Sequence, residues 1–287
     1  MDAALRHHAG DPSAGVATLK RHVLVLALVP FAAMAETPKA DDDPVFDNHL
    51  TLSGSFAYAS ASTQIRLDAS DGTRGTDLDG ETDLGLSKHK WLGRGEATLR
   101  PRPRHRLRLT HHFLKLERNG TATLTRDVAF GDEDFLAGEI VTSNLDLSLL
   151  ALDYSYSFWR SPRVELAAGI GINLADYEVR AAVPARLREE RDDESGYAPV
   201  LSLEGAFRFG GRWYGEARVR YFELGIDHVR GSLATWDVNV LYRLKRNVLV
   251  GAGYSRFDLA VESNRTGDTG RLDLAFDGPQ LFLRAGF

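Results

Sequence analysis

From Leu50 to the last residue the chain alternates between apolar and polar positions. Leu50, Leu52, Gly54, Phe56 and Tyr58 fall on one parity, as do Val164, Leu166, Ala168, Ile170, Ile172 and Leu174. Leu201, Leu203, Gly205, Phe207 and Phe209 repeat the pattern, and so do Trp236, Val238, Val240, Tyr242 and Leu244. A period of two places successive side chains on opposite faces, so these segments read as strands with one apolar face. No stretch of similar length has helical spacing. Four connections are short and rich in turn formers: Pro101–Arg104, Arg160–Arg163, Gly210–Arg212 and Lys245–Asn247. They alternate with long polar segments at Asp68–Ser87, Arg118–Gly138, Arg180–Gly196 and Glu262–Gly270, and with a shorter polar break around Asp227–Gly231. Short turns at one end and long loops at the other describe an up-and-down antiparallel meander. The segmentation gives ten strands, near 47–67, 88–100, 105–117, 139–158, 163–179, 197–209, 213–226, 232–244, 247–261 and 271–287, with eight or twelve as alternatives.

The opposite parity decides the environment. It carries Arg94, Glu96, Arg108, Asp153, Glu165, Glu204, Arg208, Glu216, Arg218, Arg220, Asp237 and Arg284, with Arg100, Arg106 and His112 in the same phase. A soluble barrel hides its apolar face inside, whereas a membrane barrel turns it outward and keeps polar groups in the lumen. Charge on one face and Leu, Ile and Val on the other therefore predict an all-β transmembrane barrel with a charged lumen network. Aromatics end the apolar face beside the short turns, at Phe158, Trp159, Phe207, Phe209, Trp213, Tyr214, Tyr242 and Phe287. A second set lies further along, at Tyr197, Tyr221, Phe222, Trp236 and Tyr254. Trp213 and Tyr221 are eight residues apart, which at strand rise and tilt is about 20 Å along the barrel axis, close to the spacing of two aromatic girdles.

Composition narrows the compartment. The 287 residues carry 35 Lys and Arg against 40 Asp and Glu, net −5, which argues against a nucleic-acid footprint. The absence of cysteine removes disulfides, thiolate metal sites and cysteine nucleophiles. Lys20, Arg21 and His22 precede an apolar run from Val23 to Ala33, followed by Ala33-Met34-Ala35. A basic start, an apolar stretch of this length and small residues at Ala33 and Ala35 describe a secretory signal peptide cleaved after Ala35. Residues 1–35 are thus expected to be signal and leader, 36–46 an acidic periplasmic linker, and 47–287 the barrel.

The C-terminal segment Pro279-Gln280-Leu281-Phe282-Leu283-Arg284-Ala285-Gly286-Phe287 puts Leu281, Leu283, Ala285 and Phe287 on one parity and ends on an aromatic. It resembles the signature by which small single-chain outer-membrane β-barrels of Gram-negative bacteria are recognised for insertion. Leu152 to Ile172 is similar to a hairpin of uncharacterised proteobacterial barrel proteins. The resemblance implies residence in the outer membrane after export through the periplasm. It also implies outer-membrane lipid and the insertion machinery as partners, and a monomer. It implies no activity, because function resides in sites grafted onto a fold.

Candidate chemistry is sparse. Asp227-His228 lies at a loop end, where the omptin proteases, also ten-stranded barrels, place acidic residues and a histidine. In a strand the two adjacent side chains would point to opposite faces. His111-His112 divides in the same way. A lipid A deacylase would pair a serine with a lipid-facing histidine, and His111 has that parity. Gly169-x-Gly171 and Gly251-x-Gly253 sit inside strands, so they are expected to make room for arginines in the lumen rather than to form a nucleotide loop. Asp68, Asp71, Asp77, Asp79, Glu81 and Asp83, then Asp132, Glu133 and Asp134, then Glu189, Glu190, Asp192, Asp193 and Glu194, make the long loops acidic. Such loops suit weak Ca²⁺ contacts at most. The expectation is a non-enzymatic, closed-lumen envelope protein serving membrane integrity or surface interaction. A narrow porin-like channel is one alternative, and a lipid-modifying enzyme or protease at the rim is another. No cofactor is expected.

Overall fold

A computed structural model describes residues 48–112, 118–183, 188–226, 228–265 and 268–287. The signal segment with Ala33 and Ala35, the 36–46 linker and Asp227 lie outside these residues. Ten long strands make up the architecture: β1 (Leu50–Leu67), β2 (His89–Arg102), β3 (His105–His112), β4 (Ile140–Arg160), β5 (Val164–Val183), β6 (Arg188–Gly210), β7 (Trp213–Ile226), β8 (Val229–Lys245), β9 (Val248–Arg265) and β10 (Asp268–Gly286). Each pairs antiparallel with its neighbour in sequence. The last strand pairs with the first from Thr51↔Gly286 to Leu67↔Gly270, so the sheet closes on itself. Closure leaves no row of unpaired backbone donors and acceptors, the condition for a sheet to sit in hydrocarbon.

The four turns at one end are tight. Arg102 faces His105, Gly210 faces Trp213, and Lys245 faces Val248. The Gly210-Gly211 turn uses φ values of 147° and 57°, which a side chain would oppose.

The other end departs from the sequence expectation where segments read as polar form strand; residues 118–123 pair with 140–145 of β4, and two further segments extend the long ladders. Residues 180–196 and 262–270 read as polar loops, yet the ladders run on through them, with Arg180↔Arg191 in β5–β6 and Glu262↔Arg271 in β9–β10. The physical reason is a change of environment along each strand. On β9 the outward face runs Val250, Ala252, Tyr254 and then Arg256, Asp258 and Glu262, while the inward face becomes Phe257, Leu259 and Val261. On β10 the outward face runs Phe287, Ala285, Leu283, Leu281 and then Asp277 and Asp273, while Phe276, Leu274 and Leu272 are buried inside. Arg256 pairs with Asp258 at 2.8 Å and Arg271 with Asp273 at 2.6 Å on this outer surface. The Tyr254 hydroxyl donates to Asp277 and the Tyr221 hydroxyl to Glu223, so two tyrosines of the second aromatic set mark the border. Phe222, grouped with them by sequence, lies opposite the buried Leu233 on the inward parity.

Strands of 18 to 19 residues such as β1, β9 and β10 rise about 45 Å at a ~40° tilt, against an apolar belt of about 25 Å. The barrel therefore has two storeys. One has apolar residues outside and charge inside. The other, at the long-loop end, has charge outside and an apolar core inside.

That apolar core is built by the first two long connections, which fold inward. Leu78, Leu84 and Leu86 from the first, and Leu124, Val128, Phe130 and Phe135 from the second, are buried against Ile65, Val141, Leu145, Leu149, Leu272, Leu274 and Phe276 of the wall. A short hairpin, Val128–Phe130 with Glu133–Phe135, carries the two phenylalanines. Backbone bonds tie the plug together: Thr76 N–H donates to the Ala129 carbonyl at 2.8 Å, Gly131 N–H to Leu67 at 3.0 Å and Gly80 N–H to Thr63 at 2.9 Å. The acidic side chains largely serve the loop itself. Asp71 accepts from Thr73 N–H at 2.8 Å, which holds its carboxyl below the usual carboxylate range.

Candidate functional site

In the charged storey, titratable groups from most of the strands converge. Parity alone sends these side chains inward, and a ten-stranded lumen is narrow enough for arginine to reach across it. Arg218 on β7 forks onto Glu96 on β2 at 2.8 and 3.2 Å. Those strands are five apart in a ten-strand ring, so this pair spans the lumen along a diameter. Arg108 on β3 forks onto Glu204 on β6 at 2.6 and 2.9 Å, and Arg106 reaches the same carboxylate at 3.2 Å. Arg284 on β10 forks onto Glu216 on β7 at 2.6 and 2.8 Å. Arg100 on β2 forks onto Glu165 on β5 at 2.9 and 3.2 Å, and Ser157 Oγ donates to the same carboxylate.

Nearer the apolar storey, Arg220 on β7 meets Asp153 on β4 at 2.9 Å and the Asn173 amide oxygen at 2.7 Å. Arg94 on β2 meets Asp237 on β8 at 3.0 Å and the Gln280 oxygen at 3.1 Å. Arg108 Nε also lies 3.5 Å from Glu96, so the central pairs are linked. Fork-to-fork geometry of this kind is both strong and orienting.

The pairs form a layer across the barrel with a small chamber on each side. The chamber toward the short turns is about 60 Å³ and is lined by Ser53, Thr98, Arg106, Glu204 and Arg284. The other, about 90 Å³, lies between the layer and the plug and is lined by Ala57, Leu92, His112, Leu233, Phe276 and Gln280. Spaces of that size hold a few waters each. Arg218 lines both.

No protein-family model matches the sequence. No curated protein matches it either. Solved structures do. The outer-membrane protease OmpT of Escherichia coli is similar over 84% of this chain and 97% of its own, at TM-score 0.56 and 11% identity. A Pseudomonas aeruginosa FadL homologue matches at TM-score 0.38 and 10% identity, covering 85% of this chain and 91% of its own. Ail of Yersinia pestis matches at TM-score 0.32 and 8% identity, covering 82% and 99%. The chain has the fold of a small Gram-negative outer-membrane β-barrel. At these identities the likeness concerns architecture alone.

Arg94, Glu96, Arg100, Arg106, Arg108, Asp153, Glu165, Glu204, Glu216, Arg218, Arg220, Asp237 and Arg284, all on the inward parity, are joined by ion pairs. Arg208 falls at the turn end of β6, opposite the buried Tyr214 and beside a bulge. Ser157, Asn173, Asn239 and Gln280 were missed as neutral participants, although each has the inward parity; Gln280 donates to Asn239 at 2.7 Å. His111 is exposed on the outer face and His112 faces the lumen. His228 is exposed, and its carbonyl accepts from Asn264 N–H at 2.7 Å.

The strand glycines make room for other groups than arginine. A Cβ on Gly171 would lie 2.2 Å from Asp153 Oδ1, and one on Gly251 would lie 2.2 Å from the Phe282 ring. Gly171→Ala is therefore expected to push Asp153 off Arg220 and to cost about 1–3 kcal/mol. Urea unfolding of the refolded variant measures this; unchanged stability would mean that Asp153 relaxes freely.

Proposed function

We propose that this chain is a non-enzymatic, closed-lumen barrel of the outer membrane, exported through the periplasm, whose long-loop storey stands above the lipid as a rigid surface for envelope integrity or surface contact. The observation that carries this reading is the double closure of the lumen by a cross-braced ion-pair layer and, in series, an apolar plug. Ions and polar solutes would have to break buried charge pairs at the first barrier and cross dry hydrocarbon at the second. The fold is shared with a protein described as a protease, but at the mouth several of the described charges are engaged in arginine–carboxylate pairs. A cleft of about 440 Å³ there is lined by Arg66, Arg74, Asp77, Asp83, Arg126 and Asp273. Arg66 meets Asp68 at 3.0 Å, Arg74 meets Asp77 at 2.9 Å and Arg126 meets Asp83 at 3.2 Å. The reading involves no cofactor and leaves to the acidic loops only weak, exchangeable Ca²⁺.

Purified protein in liposomes should admit no small sugar in a swelling assay. Swelling at a rate that scales with protein would favour the narrow-channel reading instead. The orientation follows from loop length, since barrels of this kind keep short turns in the periplasm and long loops outside. Trypsin added to intact cells should therefore cut after Arg74, whose side chain is 69% exposed in the first long loop. Cleavage after Arg212 or Arg246, in the short turns, would reverse the orientation.

A further inference from the structure

The four short turns carry a charge pattern that the lumen does not explain. Pro101–Arg104, Arg160–Arg163, Gly210–Arg212 and Lys245–Asn247 contain Arg102, Arg104, Arg160, Arg163, Arg212, Lys245 and Arg246, and no aspartate or glutamate. Arg102, Arg104, Arg163, Arg212, Lys245 and Arg246 are exposed. The chain as a whole is acidic, net −5, and its acidic loops lie at the opposite end. The cations are distributed over all four turns, which join β2 to β9 in succession around this end.

Two of the turns are built as one unit. The Pro103 carbonyl accepts from Arg100 at 2.7 Å and from Arg160 at 3.0 Å, which locks the β2–β3 turn to the β4–β5 turn. On the strands just above them, His105 Nδ1 lies 2.7 Å from the Tyr154 hydroxyl, and Arg104 reaches the Tyr156 hydroxyl at 3.5 Å. The outward aromatics Phe158, Trp159, Phe207, Phe209 and Trp213 are 44–60% exposed immediately inside the basic residues. Aromatic belts sit at the headgroup level of a bilayer. Residues one to four positions beyond them therefore lie at the height of the lipid phosphates.

We propose that this basic rim binds the phosphates of anionic phospholipids in the periplasmic leaflet, with the paired turns carrying Arg102, Arg104, Arg160 and Arg163 as its strongest segment. Cations behind aromatics at four successive turns suit an occupant that follows the barrel wall, as annular lipid does, better than a protein docked on one side. Electrostatic attraction of each basic residue to an anionic surface is worth about fivefold in affinity. The inference rests on the orientation proposed above.

The test uses the full barrel with Trp91→Phe and Trp236→Phe, leaving Trp159 and Trp213 beside the rim as the only tryptophans, excited selectively over tyrosine. Quenching by brominated phosphatidylglycerol is compared with quenching by brominated phosphatidylcholine in mixed vesicles. The anionic lipid is expected to be preferred by about fivefold or more. The preference should collapse toward unity in 1 M NaCl. It should also collapse in a variant with Arg102, Arg104, Arg160 and Arg163 all changed to Gln, whose folding is checked by circular dichroism. Equal quenching by the two lipids in the wild-type rim, or a preference that survives high salt, overturns the proposal even where the fourfold variant fails to fold. The vesicle measurement reads lipid chemistry whichever way the barrel points. A reversed trypsin pattern on cells together with an intact anionic preference would overturn the leaflet assignment and the orientation while leaving phosphate recognition standing.

Discussion

Glu204→Ala is expected to destabilise the barrel by about 3–5 kcal/mol, the cost of leaving a buried charge without its partner. Glu204 accepts the fork of Arg108 and a further contact from Arg106, and all three side chains are at most 11% exposed. Truncation leaves two neighbouring guanidinium groups of β3 without the carboxylate they share, beside a chamber with room for a few waters. Glu216→Ala should cost less, about 1–3 kcal/mol, because Glu216 serves Arg284 alone among the close pairs and is 18% exposed. Replacing Arg106, Arg108 and Glu204 together with apolar residues of similar volume should recover most of the loss, since the attraction within a buried network roughly offsets its desolvation. Reversible urea unfolding in lipid vesicles measures all three. Equal effects for Glu204→Ala and Glu216→Ala would contradict the geometry of the layer.

The second large effect concerns permeation. Two barriers in series mean that breaching either one alone leaves the pore shut. Glu96→Ser, Arg108→Ser, Glu204→Ser and Arg218→Ser combined should dissolve the central cross-braces, yet pass no current, because the apolar plug still fills the mouth. Shortening the first two long connections to remove Leu78, Leu84, Leu86, Phe130 and Phe135 should also pass no current, because the ion-pair layer is intact. Only the combined variant should conduct. Planar-bilayer recording of the three proteins checks this; current through either single lesion would show that the barrier it leaves in place does not seal the lumen.

The wall of the barrel was legible because a bilayer imposes a period of two with one apolar face, and the ten strands follow from counting that signal. The inward charges were legible for the same reason. Their partners were not. Which arginine meets which carboxylate depends on chords across the ring, such as Arg218 to Glu96 between strands five apart, and local sequence carries no record of that distance. The second storey was hidden because its polarity is inverted. On β9 the apolar parity passes from Val250, Ala252 and Tyr254 to Phe257, Leu259 and Val261 at Arg256. On β10 it passes from Leu272, Leu274 and Phe276 to Leu281, Leu283 and Ala285 after Asp277. Those phase switches mark the point where a strand leaves hydrocarbon, and they were available in the sequence. The plug was not: Leu78, Leu84, Leu86, Phe130 and Phe135 lie among Asp, Gly and Thr with no period, and only tertiary structure gathers them.

The most direct test of the closed lumen is single-channel recording on the purified, refolded wild-type barrel. A silent bilayer across the applied voltage range is expected, with insertion verified independently by protease protection. Steady, reproducible conductance steps would contradict it and make this protein a narrow passive channel.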